Sequence, residues 1–412
     1  MNVLLATVGS LGDLHPVLGI GQALSTAGVR VFLISHPHYR ERTISAGLKF
    51  IGAGPKVHLF EEIRKNPQFL DPQSAPLAVW NEFVLPAVKD FYQVTRDAID
   101  RYQPVFVASH FLTVGTLLAA SQAGLPRAVL MTTPTGWLSS ADIVINGWSW
   151  PVFSRPVFRL LREKIFLYCS RSLKKVCEDL EIPWYPRIAE ATLREVELNL
   201  GLWSPYFRPA TADDPPRAII CGFCRQIFPA ERPASLKGFF REDQPPVVVT
   251  FGSAACLHAS DLYPLIASAC RYLKWRCLLL GPGLEKLTEA PNILTADYLP
   301  YESIFSQARL IIHHGGINTV AAALQAGQPQ LILPFCHDQF DNAARCVRLG
   351  VALKLDRYRL SQELLVSALK KIVENKALYQ AARKVSEIIN REASGARVAA
   401  FHLLALARSV DA

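Results

Sequence analysis

Residues 313–319 read His-His-Gly-Gly-Ile-Asn-Thr, placed between the apolar run ARLII and the Ala/Leu-rich stretch VAAALQAG. Gly315 and Gly316 let a backbone approach a ligand closely. A helix beginning near Ile317, Asn318 and Thr319 would offer unpaired N–H groups and a positive dipole end to an anion. Phosphate binding is the chemistry suited to this pattern. A plain strand-to-helix turn often carries one glycine, without two histidines and an Asn-Thr pair around it. A second turn, Gly252 and Ser253, closes the run VVVTF, and a serine there can donate to another phosphate oxygen.

Other phosphate and nucleophile chemistries lack their residues. The N-terminal glycine turn VGSLGDLHP is not GxGxxG. The next apolar run ends VFLISHPH, with Ser and His where a ribose-binding acid is wanted, so dinucleotide binding is disfavoured. GxxxxGK[ST] is absent, and GWSWP ends in proline where a serine-hydrolase elbow needs glycine. Nine scattered cysteines include a single CxxC, Cys221 and Cys224, with no second pair to complete a zinc site; such thiols fit a reducing cytosol. No other metal cluster is evident.

The elements that would position these residues alternate regularly. NVLLATV, HPVLGIGQALSTAG and VRVFLIS form a strand, a helix and a strand, and the rhythm recurs in PVFVAS, LLAASQAG and RAVLMTT. From Leu138 to about Leu180 the pattern turns to long helices rich in aromatic and basic residues, an insertion over the sheet. Prolines crowd 205–246, and a second alternating unit begins at PVVVTFGSA. The expected fold is α/β, with two Rossmann-like halves across a cleft. The domains are 1–215, a Pro-rich linker at 216–245, 246–390, and a C-terminal helix at 391–412 that returns to the first domain.

Lys and Arg total 44 against 35 Asp and Glu, a surplus of 9 that favours anionic partners. The densest basic cluster, RSLKK, is too short to track a nucleic-acid backbone. MNVLLATVGSLGD lacks a basic leader and reads as a first strand, and no apolar window resembles a membrane span. Trp137, Trp148, Trp150 and Phe153 lie near Arg155, Arg159 and Arg162. Such a segment can line an apolar pocket, rest on an anionic membrane surface, or simply pack on the sheet.

The C-terminal block, a strand, HxGG with a polar helix start, and a strand ending P…DQ..NA, resembles the nucleotide-sugar signature of GT-B, family 1 glycosyltransferases. GSxGDxxPxLGxAxxL and HDQFDNAxRxVRLG are most similar to bacterial rhamnosyltransferase-type members, including those of rhamnolipid synthesis. The resemblance implies a two-domain GT-B fold and an inverting, metal- and cofactor-free transfer of a glucose- or rhamnose-type sugar. The donor would be a UDP- or dTDP-sugar and the acceptor a lipophilic hydroxyl. Plant and animal members carry Glu eight residues after the first His. Ala321 stands there, which makes a deoxythymidine donor attractive.

Residue by residue, the resemblance implies that His313 and the amides after Gly315 and Gly316 hold the diphosphate, helped by Thr319 and Ser253. Tyr298, beside Leu299, would stack on the base in place of a tryptophan, and Asp338 and Gln339 would contact sugar hydroxyls. Transfer needs a base across the cleft, and the family places it in the first glycine loop, three residues before a proline. Asp13 falls there, with His15 and His110 as rivals or partners, and Gly12, Trp137 and Trp148 belong to the acceptor side. By its own pattern Asp13 would be a helix N-cap. A cytoplasmic location, with peripheral contact to the inner membrane face, accompanies this expectation. An epimerase of the same architecture and a non-catalytic sugar-nucleotide binder are the alternatives.

Overall fold

Apolar runs without polar interruption form strands that are covered on both faces, the habit of parallel sheets. In the computed structural model these are β1 (Asn2–Ala6), β2 (Arg30–Ser35), β3 (Lys49–Gly52), β4 (Val107–His110) and β5 (Arg127–Met131). After a two-stranded hairpin, β6 (Val144–Ile145) and β7 (Trp148–Ser149), come β8 (Leu198–Gly201) and β9 (Ala218–Ile220). The second half supplies β10 (Val247–Thr250), β11 (Cys277–Leu280), β12 (Ile293–Ala296), β13 (Leu310–His313), β14 (Gln330–Ile332) and β15 (Ala352–Lys354). The structure describes residues 1–54, 59–142, 144–145, 148–149, 154–224, 238–240, 243–287 and 290–408.

Two parallel sheets result, ordered β3-β2-β1-β4-β5-β8-β9 and β12-β11-β10-β13-β14-β15. Each runs outward from its first strand and then reverses, so each has one switch point where neighbouring crossovers diverge and leave a crevice at the strand carboxyl ends. In the first sheet it lies between β1 and β4, with Leu4 beside Val107. In the second it lies between β10 and β13, with Thr250 beside His313. The three candidate bases, Asp13, His15 and His110, follow β1 or end β4, and the turns at Gly252 and Gly315 follow β10 and β13.

Two boundaries differ from expectation. Ala218–Ile220 lies inside the expected linker yet pairs with β8, so the first domain runs past residue 215. Proline density around it masked a three-residue edge strand. The rest of the linker at 225–237 lies outside the described residues. The insertion after Leu138 opens with the short hairpin and only then becomes helical, at Arg155–Ser172 and Lys174–Asp179. The last helix, Gly395–Arg408, returns to the first domain. Ala396, Ala399, Ala400, Leu403 and Ala407 recur every three to four residues and share a core with Leu14, Val17 and Leu18.

Candidate active site

Ser10 starts the helix Leu11–Thr26 and is its N-cap, with its hydroxyl accepting from Gly12 N at 3.1 Å. Asp13 is not the cap; it stands at the third helical position and returns the favour. Its Oδ2 accepts from Ser10 N at 2.8 Å and from Ser10 Oγ at 3.0 Å, completing a capping box. The preceding Gly9 has φ +120°, and a Cβ there would lie 2.4 Å from Asp13 Oδ2. The carboxylate is thereby fitted to a glycine-only turn.

From the end of β4, His110 reaches the other carboxylate oxygen, with Nε2 at 3.3 Å from Asp13 Oδ1 and 3.3 Å from Thr132 Oγ1. His110 is fully buried, its Nδ1 has no hydrogen-bond partner, and it stands behind Asp13, outside the cavity lining. The Nε2 proton therefore belongs to the bond with Asp13. Burial would raise the Asp13 pKa, but the hydrogen bond and charge of His110 and the hydrogen bonds of Ser10 prevail and hold it below the ordinary carboxylate value. His15 lines the cavity on the next turn. Burial, aided by the Arg42 charge, pushes its pKa down to about 4.

Opposite lies the turn after β13. Gly315 adopts φ +91°, and an added Cβ would meet Gln339 O at 2.9 Å, so that position too requires glycine. Gly316 caps the helix Ile317–Ala326 without any side-chain hydrogen bond, leaving its first N–H groups facing the cavity. His313 corrects the expectation of a phosphate ligand. It is fully buried and lies outside the lining, its Nδ1 accepts from Gly315 N at 3.0 Å, and its Nε2 donates to Gln330 Oε1 at 2.9 Å. It shapes the glycine turn from below. Burial pushes its pKa down to about 4.

The neighbouring His314, though buried, is the histidine that faces the cavity. It lines the cavity between the two glycine turns, so close that a Cβ on Gly316 would lie 2.4 Å from its Nε2 and one on Gly252 2.7 Å from its Cε1. Gly252, Ser253, Tyr298, Leu299, Gly316, Ile317, Asn318 and Thr319 all line this wall, whereas Gly315 does not. Thr319 is nearly buried and hydrogen-bonds the Tyr301 hydroxyl, which also meets Thr250 Oγ1 at 3.1 Å. Tyr298 is half-exposed, with its ring open to a partner.

Asp338 and Gln339 also line the cavity, but Gln339 Oε1 is already engaged, accepting from Phe335 N at 2.8 Å and Cys336 N at 3.2 Å. Asp338 Oδ2 accepts from Asn342 Nδ2 at 2.7 Å, and the same amide reaches Gly315 O at 2.9 Å. Burial pushes the Asp338 pKa up to about 7, against hydrogen bonds from Asn342 and Thr133, with the Asp13 and Asp341 charges adding to the rise. Sequence reasoning missed His314, Tyr301 and Asn342. The four-residue step from Asp338 to Asn342 on one helix was the available signal for the last.

The two walls enclose about 1320 Å³. Asn318 Nδ2 donates across it to Gly12 O at 3.1 Å, while His258 and His337 donate from the second domain to Ile63 O at 2.9 Å and Phe69 O at 3.0 Å. Away from the polar pair of turns the lining is mainly apolar, with Phe69, Trp80, Phe83, Phe158 and Phe166, though Arg64 and Lys164 also reach it. Trp137 touches the cavity but is 2% exposed, packed 4.5 Å from the Trp203 ring under the Arg208 guanidinium. Gly12 lines the cavity; the Trp148 side chain lies outside the described residues. Among the described residues no group of three His, Cys, Asp or Glu could hold a metal ion.

Residues 281–403 match the family described as erythromycin biosynthesis protein CIII-like, C-terminal domain. The sterol 3-beta-glucosyltransferase UGT80A2 of Arabidopsis thaliana is 26% identical over 82% of this chain, which spans 55% of that relative. The O-mycaminosyltylonolide 6-deoxyallosyltransferase of Streptomyces fradiae is 25% identical over 95% of this chain and 94% of its own. The crystal structure of glycosyltransferase VinC in complex with DTDP superposes with a TM-score of 0.74 over 99% of this chain and 100% of its own, at 18% identity. The chain thus has the GT-B fold, and its residues 281–403 are similar to the EryCIII-like C-terminal domain family.

Proposed function

We propose that the protein is an inverting glycosyltransferase that moves a hexosyl or deoxyhexosyl group from a nucleoside diphosphate to the hydroxyl of a lipophilic acceptor. One observation carries this reading. The Asp13 carboxylate, at one sheet's switch point, faces the uncapped helix start at Gly316 and Ile317, at the other, across a cavity with apolar outer walls.

Each part has a role in the transfer. The leaving diphosphate sits against the N–H groups at Ile317–Thr319, where the helix dipole offsets its growing charge without a metal ion. Tyr298 stacks on the nucleobase. Asp13 accepts the acceptor proton as the sugar carbon gains positive charge. The hydroxyl's acidity rises along that path, so a carboxylate of low intrinsic basicity suffices if it is correctly aimed. His110 and Ser10 supply the aim: both carboxylate oxygens are already hydrogen-bonded, Oδ2 twice and Oδ1 once, leaving one lone pair of Oδ1 for the acceptor hydroxyl.

A glucose- or rhamnose-type sugar, a UDP or dTDP carrier, and a sterol, macrolide or hydroxy fatty acid acceptor are the finer members of the proposal. The sterol and macrolide relatives and the absence of a carboxylate at Ala321 support them. The test is release of nucleoside diphosphate from UDP- and dTDP-sugars with and without a hydroxylated hydrophobic acceptor. Release dependent on acceptor, lost by a factor of about 10² or more in Asp13→Asn with nucleotide binding retained, is the expected result. Acceptor-independent conversion of the sugar would point to an epimerase, and binding with no turnover to a non-catalytic role.

A further inference from the structure

We propose that the helix Arg155–Ser172 is a docking face for an anionic lipid surface. Seven positions on its inner side, Arg155, Phe158, Arg162, Phe166, Cys169, Ser170 and Ser172, are buried or partly buried against the first domain. That spacing of three to four residues leaves the opposite side to solvent. On the outer side stand Val157, Leu160, Leu161, Ile165, Leu167 and Tyr168, each more than a third exposed, with Val157 reaching 68%. Among the described residues every other helix exposes at most one large apolar side chain to that degree. Scattered exposed leucines need no explanation; six on one helix do.

Charge argues for lipid as the occupant. The helix carries Arg155, Arg159, Arg162, Lys164 and Arg171 against a single acid, Glu163. Arg162 and Arg159 both reach Asp213, at 2.9 and 3.8 Å, and Arg159 also donates to Ser140 Oγ at 3.1 Å, but Lys164 and Arg171 remain on the exposed side with the apolar residues. A protein partner with a matching apolar face would gain little from that ring of cations. Lipid headgroups lie over acyl chains, so they match basic residues flanking an apolar stripe. No helix among the described residues is long and apolar enough to cross a membrane, so the contact is lateral.

Position gives the face a purpose, which rests on the proposed lipophilic acceptor. Lys164, Ile165 and Tyr168 line the cavity from this helix, and Leu77, 54% exposed, lines it from the neighbouring segment. Tyr168 Oη ties the two segments together by donating to Asn81 Oδ1 at 2.9 Å. The cavity therefore borders the same apolar and basic face. An acceptor dissolved in a membrane could pass between the lipid and the cavity without crossing water.

Sedimentation with vesicles tests this, since it needs neither donor nor acceptor. The full chain should pellet with vesicles of phosphatidylglycerol mixed equally with phosphatidylcholine, more weakly with phosphatidylcholine alone, and less in high salt. The double variant Leu160→Gln/Leu161→Gln lies outside the cavity lining. It should reduce the vesicle-bound fraction at least tenfold while its nucleotide-induced thermal shift stays unchanged, and Arg171→Glu should reduce binding to the anionic vesicles. Failure of the parent to pellet, equal pelleting of the double variant, or a change from dimer to monomer in that variant on size exclusion would overturn the proposal. The last outcome would assign the face to a second copy of the chain. Vesicle binding without sugar transfer would leave this proposal standing and sink the functional one; transfer to a soluble acceptor without vesicle binding would do the reverse.

Discussion

Lowering the pH should loosen the second domain through His313. Its ring is fully buried, accepting one hydrogen bond from Gly315 N and donating another to Gln330, and burial depresses its pKa from 6.5 to about 4. Since the folded-state value is the lower one, the neutral ring's contribution to stability is complete above pH 6.5, declines below it, and is fully lost near pH 4. At pH 5 preferential protonation of the unfolded chain shifts the folding equilibrium about 30-fold, a destabilisation of about 2 kcal/mol. β13 lies inside the second sheet between β10 and β14, so its amides exchange with solvent mainly when the domain opens.

The comparison is between the parent and His313→Asn, in which the amide oxygen can take over the bond from Gly315 N. Hydrogen exchange of Leu310–His313, corrected for the intrinsic rate, is measured at pH 7.5 and pH 5. The parent should lose about 30-fold more protection on acidification than the variant. His314, whose pKa burial pushes down to about 3, remains in both proteins, and its separate contribution cancels in the comparison. Equal losses in the two would refute the reasoning, because they would mean that the imidazole is not a neutral strut beneath the glycine turn.

Two further substitutions separate chemistry from scaffolding. Gly9→Ala places a Cβ 2.4 Å from Asp13 Oδ2, so transfer should fall at least tenfold while nucleotide affinity, measured calorimetrically, stays within twofold; undiminished transfer would show that Asp13 need not hold its present position. Arg345→Met strips the cation from Asp341, 2.8 Å away and 2% exposed, which should cost about 3–5 kcal/mol and appear as a lower Tm, recovering in part at acid pH as Asp341 protonates.

Local patterns were legible in the sequence, and contacts between distant segments were not. Strand, glycine turn and helix follow one another within twenty residues at 310–326, so the phosphate-type turn could be read directly. Which of His313 and His314 faces the cavity depends on where the strand's alternation stops, and this hangs on the pairing of His313 with Thr250 and Ile332. Asp13 was visible as a carboxylate in the first turn, but its partner at His110 is 97 positions away along the chain and is brought to it only by the pairing of β1 with β4. The linker boundary failed for a different reason. Three residues, Ala218–Ile220, are too few to show a period, and prolines on either side outweighed them.

The helix Gln339–Arg348 links these distant parts mechanically. Asp338 stands before its first turn in the cavity, Asn342 holds both Asp338 and the Gly315 carbonyl, and Arg345 pairs with Asp341 and reaches Asp142 of the first domain. Asp142 in turn faces Arg208, which is 1% exposed. One helix face therefore ties the glycine turn to the first-domain wall at Asp142. A buried ion pair of this kind adds little net stability over apolar packing, yet losing one partner is costly, so it acts more as a register device than as glue. Substitutions along this face should alter donor and acceptor affinity together, even where the residue touches neither ligand. Substitutions at Asp13 should alter turnover alone.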